Sequence, residues 1–416
     1  MDSVDKARAI LKNWNLTKVV FGRGTISEAG QFAGKFGKRA LVVIGGGSVK
    51  RHGYLDSLLE SLGAAGVKSN VVEGVEPNPS KETIYRLAYH LLAGNYDCAV
   101  ALGGGSTIDA LKGGLILATT KSGDIDDYFG VDRCSQKMRK MDPPMMAVPT
   151  TAGTSAEVTK YTNITDVRIG VKKLVSDPAI IPQVAIVDPE LTVSCPPRLT
   201  ATVGLDTLTH LLEGYLNNVH DGVDPGAADR PGANDRALLG LKLLFEGLPA
   251  AVRDGSDLDA REKTCLACTL GGTVIVFKST GGPHMNSFSW FDVMPHGDAT
   301  GVMLPYYVAY YAPAVEEKLG PVAELLGVDP GDSPGLAVAK GLLEFYDEIG
   351  APTRLKDVPG FTAAHVEKAI ADAAQNQMKL DNMPRPIPAD QRERVLRTII
   401  EGAVEGDLES VASREK

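Results

Sequence analysis

Cysteine is scarce: Cys98, Cys134, Cys195, Cys265 and Cys268 are an odd, scattered set in 416 residues. Such a set fits reduced thiols in a cytoplasm better than a disulfide framework. Cys265 and Cys268 form a CxxC, but no second pair accompanies them and the flanking run REKTCLACTLGGTVIVF has helical apolar spacing. The expectation is two buried helix cysteines, not a zinc or redox motif. Long apolar runs are missing as well. VVIGGG, VALGGG and VIVF break well short of the roughly 18 residues a membrane span needs. The first segment, MDSVDKARAILKNWN, reads as an amphipathic helix without the apolar core and cleavage site of a secretory signal. A cytoplasmic protein with no membrane partner is expected. Positive charge is in deficit, 43 Lys+Arg against 52 Asp+Glu for a net charge of −9. A phosphate-neutralising surface is therefore not advertised, and nucleic acid is excluded as an expected partner.

What is present is ordinary globular composition, 44% hydrophobic and 23% charged, in a chain long enough for two or three domains. From about residue 17 to 190, short β-branched runs alternate with helical stretches. Strands are expected at Lys18–Phe21, Ala40–Ile44, Ser69–Glu73, Cys98–Leu102, Met146–Pro149 and Val184–Val187, with helices over Tyr54–Ala65, Lys81–Leu92 and Ile108–Ala118. Runs such as ALVVI and CAVALG look like strands buried on both faces, so an open α/β domain with a parallel sheet is expected. After Val187 the strand signal fades. Thr200–Leu216, Asp235–Val252, Asp259–Phe277, Gly301–Leu319, Pro334–Ile349, Ala363–Asn376 and Asp390–Glu405 carry helical periodicity, separated by loops rich in Gly, Pro and Asp such as HDGVDPGAADRPGAND. The division expected is an α/β domain over 1–188 and an all-α domain over 189–416.

Within the first half, AVALGGGSTID places a buried strand directly before Gly103, Gly104, Gly105 and Ser106, with a helix starting near Asp109. Backbone N–H groups at such a helix start can approach a pyrophosphate, where a side chain would obstruct. The run is neither GxGxxG nor a P-loop. A second loop, Gly45, Gly46, Gly47, Ser48, Val49, Lys50, Arg51, follows ALVVI. It offers no carboxylate for a ribose 2′-OH, but it does offer a hydroxyl and two cations suited to a 2′-phosphate. A third segment contributes the hydroxyls of Thr150, Thr151, Thr154 and Ser155, suited to a nicotinamide amide or ribose.

In the second half, Asp206 and His210 lie four residues apart and so project from one helix face. His284 and His296, twelve residues apart, each follow a proline. One carboxylate and three imidazoles suit Zn²⁺ or Fe²⁺ with an open position for substrate. His52, His90, His220 and His365 read as surface residues.

The segments GGGSTID, VPTTAGTSAEVT, IPQVAIVDP, GLDTLTHLLEGYL and MPHGDATGVMLP, in this order over roughly residues 17 to 310, resemble the iron-containing (group III) alcohol dehydrogenases. The resemblance implies a dinucleotide-binding α/β domain, a helical domain and a divalent metal in a cleft between them, held by Asp206, His210, His284 and His296. It also implies a lysine near the cofactor ribose at Lys172, and a homodimer or higher homo-oligomer. GGGSVKRHG is similar to the NADPH-using aldehyde reductase and butanol dehydrogenase branch. Two features depart from the pattern. Phe288 stands where relatives place the second histidine of HGxxH, and the interval from His284 to His296 is about two residues shorter. His284 is thus the ligand least fixed by the resemblance.

The function expected is a metal-dependent alcohol dehydrogenase or aldehyde reductase that passes hydride between NAD(P)(H), with NADP(H) favoured, and a small alcohol, aldehyde or ketone. The competing enzyme is a sugar-phosphate lyase or cyclase of the dehydroquinate-synthase type, which needs a cationic cluster for substrate phosphate. Residues 277–296 offer only Lys278. A non-catalytic dinucleotide-binding scaffold is the third possibility, disfavoured by four intact candidate ligands.

Overall fold

The computed structural model describes residues 1–227 and 230–413. Ala228 and Asp229, in the expected loop after His220, lie outside the described residues. The chain forms two compact units, Met1–Cys195 and the part from Pro196 onward.

The first unit carries β1 (Lys18–Phe21), β2 (Arg39–Ile44), β3 (Lys68–Val72), β4 (Cys98–Gly103), β5 (Gly130–Val131), β6 (Met145–Pro149), β7 (Tyr161–Asp166), β8 (Val171–Ser176) and β9 (Val184–Val187). Its helices are α1 (Ser3–Lys12), α2 (Ala29–Phe36), α3 (Ser48–Arg51), α4 (Tyr54–Ala64), α5 (Lys81–Gly94) and α6 (Gly105–Thr120). Six strands pair in the order β1-β9-β6-β4-β2-β3, all parallel. Side chains of a strand point alternately to its two faces. Leu41, Val43, Ala99, Ala101, Met145 and Ala147 accordingly pack with α5 and α6, while Ala40, Val42, Ile44, Val100, Leu102, Met146 and Val148 pack with α2 and α4. Both faces are covered, which is why these strands read as continuous apolar runs.

The hairpin of β7 and β8, joined to β5 in a separate three-stranded sheet, was not among the expected strands. Its strands, YTNITD and VKKLVS, mix polar with apolar residues and include Lys172 and Lys173, so they lack the apolar continuity of the main sheet.

Among its described residues, the second unit is helical apart from loops and a two-residue-per-strand ladder at Gly226–Ala227 and Arg230–Pro231. Its helices are α7 (Pro197–Leu216), α8 (Ala233–Arg253), α9 (Leu258–Ile275), α10 (Gly282–Ser287), α11 (His296–Leu326), α12 (Pro334–Glu348), α13 (Ala363–Gln375), α14 (Gln377–Asp381), α15 (Arg392–Glu405) and α16 (Leu408–Ser413). Nearly every residue of α7 from Thr200 to Leu216 is buried, because α8, α9 and α11 surround it. A helix without a solvent face belongs at the centre of its core. Cys265 and Cys268 are buried free thiols of α9, as expected.

The helix starts around the two later histidines differ from expectation. The six-residue α10 was not anticipated, and α11 begins at His296, five residues ahead of the expected Gly301. Each start is marked by proline, with Pro283 in the first turn of α10 and Pro295 at the N-cap of α11. Proline favours helix starts because its missing N–H would be unpaired there anyway.

Just after His296, a Cβ at Gly297 would lie 1.9 Å from the Thr202 carbonyl oxygen and 3.4 Å from Asp206 Cβ. Backbone meets backbone there, so α11 approaches α7 only through a residue lacking a side chain. Gly297→Ala should therefore destabilise the fold by about 3 kcal/mol, the upper range for overpacking. Urea unfolding checks it, and a change below about 0.5 kcal/mol, the scale of a neutral surface substitution, would contradict it.

Candidate functional site

The strands β2, β4 and β6 are neighbours and run parallel, with Ile44 opposite Leu102 and Gly103 opposite Pro149. The three segments singled out in the sequence therefore leave the same edge of the sheet side by side. Here also the strand order reverses, β3 lying outside β2 and β4 inside it, which is where open α/β sheets bind ligands.

The N-terminus of α6 forms the middle of this edge. Gly104 is its N-cap, and no side chain caps it, so its first-turn N–H groups and helix dipole suit an anion. A Cβ at Gly103 would lie 2.5 Å from Thr107 Oγ1, and one at Gly105 2.5 Å from Thr154 Oγ1. These two glycines are thus required by their own neighbours. At Gly104 the nearest atom would be Thr151 Oγ1 at 3.3 Å, still tight but looser than at its two neighbours. The Thr150 N–H donates to Gly103 O at 3.0 Å, and Thr154 Oγ1 accepts from the Ala156 N–H at 3.3 Å. Ser155, buried, holds a positive φ of 54°.

Asn78, which sequence reasoning missed, joins the expected Lys172 to this edge. The Asn78 N–H donates to Ser106 Oγ at 3.2 Å, and Lys172 Nζ donates to Asn78 Oδ1 at 3.2 Å, which places Lys172 beside the glycine loop. Lys50, exposed like Gly46 and Ser48, is ion-paired to Glu73 at 2.5 Å, while Gly45 is half-buried. Asp109 turns toward β7. Its Oδ2 accepts from the Asn163 N–H at 3.0 Å, and burial, partly countered by Lys112, pushes its carboxyl up to about 6.

In the helical unit, four side chains from α7, α10 and α11 meet. Asp206 Oδ1 lies 3.6 Å from His210 Nε2, 3.7 Å from His284 Nε2 and 3.6 Å from His296 Nε2. The His210 and His284 rings stack at 4.9 Å, and His296 stands edge-on to His284 at 5.4 Å. Asp206 Oδ1 and His284 Nε2 are buried without a hydrogen-bond partner, a costly condition for polar atoms unless something else is bound. Corners of a tetrahedron drawn about an ion with ligand bonds near 2.0–2.2 Å are about 3.5 Å apart; the ligand atoms of Asp206, His210 and His284 all lie within 4.8 Å of one another, a donor set that suits a divalent cation, with His296 facing the same Asp206 oxygen. The His296 side chain is 25% exposed, whereas those of Asp206, His210 and His284 are buried, so the accessible side of the cluster is that of His296.

Burial alone would raise the Asp206 carboxyl, but the imidazoles of His210, His296 and His284 outweigh it and hold the group well below the usual carboxylate range. For His210 burial dominates and depresses the ring to about 4, with Asp206 working the other way. Burial also opposes the charged form of His284, yet Glu213 and Asp206 prevail and raise its pKa. Glu213 is a further missed residue. Its Oε2 is in hydrogen-bond contact with His284 Nδ1. The sequence signal existed, since Asp206, His210 and Glu213 follow at intervals of four and three along α7.

Of the remaining histidines, His52 is exposed and His365 accepts the Thr362 N–H at the start of α13, while His90 and His220 are half-buried. Phe288, half-buried at the end of α10, presents no titratable group at the position of the absent histidine.

Comparison with known proteins agrees with this geometry. Residues 17–189 match the family model "Iron-containing alcohol dehydrogenase", and residues 200–400 match the C-terminal model of the same family. This chain belongs to the iron-containing alcohol dehydrogenases. As a member it is an NAD(P)-dependent oxidoreductase that interconverts alcohols and carbonyl compounds. It is 30% identical over 92% of its length to an NADPH-dependent butanol dehydrogenase from Clostridium saccharobutylicum, covering 96% of that protein. It is 33% identical over 80% of its length to an NAD-dependent methanol dehydrogenase from Bacillus methanolicus, covering 86% of it. Among solved structures, an alcohol dehydrogenase from Oenococcus oeni superposes with a TM-score of 0.83 at 27% identity, covering 92% of this chain and 97% of that one. The lyase alternative is not favoured by these relatives. Lys278, its one candidate cation, is buried and donates to Asp221 at 2.7 Å and Asn234 at 2.5 Å. No helix among the described residues is long and apolar enough to cross a membrane.

Gly104→Val tests the glycine loop of this iron-containing alcohol dehydrogenase. Dinucleotide affinity should fall at least about tenfold, equivalent to roughly 1.4 kcal/mol, while the metal content of the protein stays unchanged. Isothermal titration with NADPH and NADH reads the affinity, and an unaltered Kd would show that the loop is only a turn.

Proposed function

We propose that Asp206, His210, His284 and His296 hold one divalent ion, Fe²⁺ or Zn²⁺, and that the edge formed by Gly45–Lys50, Gly103–Ser106 and Thr150–Ser155, with Lys172, holds NADP(H) in preference to NAD(H). The observation that carries the metal reading is the meeting of three imidazole Nε2 atoms around one partnerless, buried carboxylate oxygen. When bound, the ion supplies Lewis acidity toward a substrate oxygen and the dinucleotide supplies two-electron redox chemistry.

The chain's own contributions follow from the geometry. Asp206 brings the one negative charge that partly balances the ion. His210, kept neutral by burial, offers a lone pair at neutral pH. Thr151 and Thr154, beside the glycine loop, offer hydroxyls to the ribose or amide, and Ser106 to the phosphates. With Phe288 on α10, no side chain at that position passes a proton, so the alcohol proton must leave through another group or solvent. Small alcohols, diols and their aldehydes are the proposed substrates, in keeping with the relatives' names. The five free thiols support a reducing, cytoplasmic setting, and sedimentation analysis tests the homodimer that the family resemblance implies.

His210→Ala should lower metal stoichiometry and turnover together while the circular dichroism spectrum is retained. Full metal content in that variant, measured by plasma emission, would remove the assignment. His284→Ala should behave likewise, and retention of metal there would reduce the site to three ligands.

Cofactor preference gives a second test. A charge-assisted bond to a 2′-phosphate is worth roughly 1.5–3 kcal/mol, or about ten- to hundredfold in affinity. Glu73 competes for Lys50, so about tenfold, the low end of that range, is expected for NADPH over NADH. Gly45→Asp should invert the ratio of kcat/KM, and Glu73→Gln should widen it toward NADPH. A wild-type preference for NADH, or ratios that neither substitution moves, would overturn this reading.

A further inference from the structure

His284 enters the cluster from a segment with little regular structure before it. Four consecutive residues there are each gripped by a buried side chain from a helix. Asn217 Nδ2, at the end of α7, donates to Ser279 O at 2.6 Å. Lys379 Nζ, from α14, donates to Thr280 O at 3.2 Å. Glu213 Oε1, from α7, accepts the Gly281 N–H at 2.7 Å, and Tyr311 Oη, from α11, accepts the Gly282 N–H at 3.0 Å. Glu213 is the member of this set that also reaches the histidine itself, through Oε2 and His284 Nδ1.

We infer that Glu213 is the positioning residue of His284, fixing its tautomer so that Nε2 faces Asp206 as a lone pair; the inference rests on the metal reading above. Gly281 N–H and His284 Nδ1–H are two donors, and a carboxylate answers both with its two oxygens. With Nδ1 carrying the proton, Nε2 is left unprotonated and directed at Asp206 Oδ1, 3.7 Å away. Glutamine has the same shape but one acceptor. If its oxygen serves Gly281, its NH₂ faces Nδ1 and forces the proton onto Nε2. If its oxygen serves His284, its NH₂ meets the Gly281 N–H. Either way a buried pair is broken or the ligand nitrogen is blocked. A carboxylate behind a metal-binding imidazole typically accounts for about 10–100-fold in metal affinity.

The experiment is a titration of the metal-stripped full-length protein with Co²⁺ alone, followed through its visible ligand-field bands. The wild type, Glu213→Gln and Tyr311→Phe are compared. Tyr311→Phe loosens the same segment without touching His284. Glu213→Gln should bind Co²⁺ about 10–100-fold more weakly with altered bands, while Tyr311→Phe stays within about threefold of wild type, well short of that loss. Equal affinity and spectra for Glu213→Gln and wild type overturn the inference and leave the metal site standing. Equal losses in both variants overturn it too, because Glu213 would then be one anchor among several. A wild type that takes up no Co²⁺ defeats the metal reading, and this inference falls with it. Should Glu213→Gln fail to fold, ¹⁵N-histidine spectra of the Zn²⁺-loaded wild type decide. An exchange-protected Nδ1–H on the His284 ring, with no proton on its Nε2, is expected, and its absence overturns the inference.

Discussion

A carboxylate in the middle of a helical core constrains the second unit. Asp206 sits on a helix that has almost no exposed residue, and its Oδ1 has no hydrogen-bond partner. Leaving a charge in such a place is costly unless opposite charge gathers around it. Three imidazoles surround it with Nε2 atoms that can share a cation with it, and the elements carrying them are shaped accordingly. His210 comes from the next turn of the same helix, His284 from a helix of six residues, and His296 from the first residue of α11. The close approach at Gly297 then follows from the need to bring that first residue within reach of Asp206.

The first unit obeys a different constraint, the adjacency of parallel strands. Because β2, β4 and β6 are hydrogen-bonded in sequence across the sheet, three loops far apart in the chain become one surface without any long-range contact between their side chains being needed. Thr107 shows how close the loops come. Its hydroxyl would meet a Cβ at Gly103 at 2.5 Å and one at Gly45 at 3.4 Å. One side chain thus restricts the residue choice at two strand ends.

Much of this was legible in the sequence, for identifiable reasons. Continuous apolar runs ending in glycine mark strands buried on both faces and loops that must stay small, so β2, β4 and their loops could be read directly. Asp206 and His210 share a face by spacing alone, and a Pro-His pair recurring twelve residues on drew attention to His284 and His296, although the helix starts there were not anticipated. The β7–β8 hairpin was missed because its polar-rich strands keep neither a continuous apolar run nor a strict alternation. The pairing of Lys50 with Glu73 joins residues on different elements and leaves no local pattern. Glu213 did lie in register with Asp206 and His210, but an acidic residue on a helix ordinarily reads as a solvated one. Only the burial of α7 reveals that this one points inward.

The segment from Ser279 to Gly282 carries one more consequence. Its backbone is secured by side chains from three helices, and not by a ladder that could fray from one end. Moving His284 away from Asp206 therefore requires several contacts to break together, as a local opening of the core. The lifetime of whatever His284 holds is then set by the rate of that opening, and hydrogen exchange at Gly281 and Gly282 reports the same event.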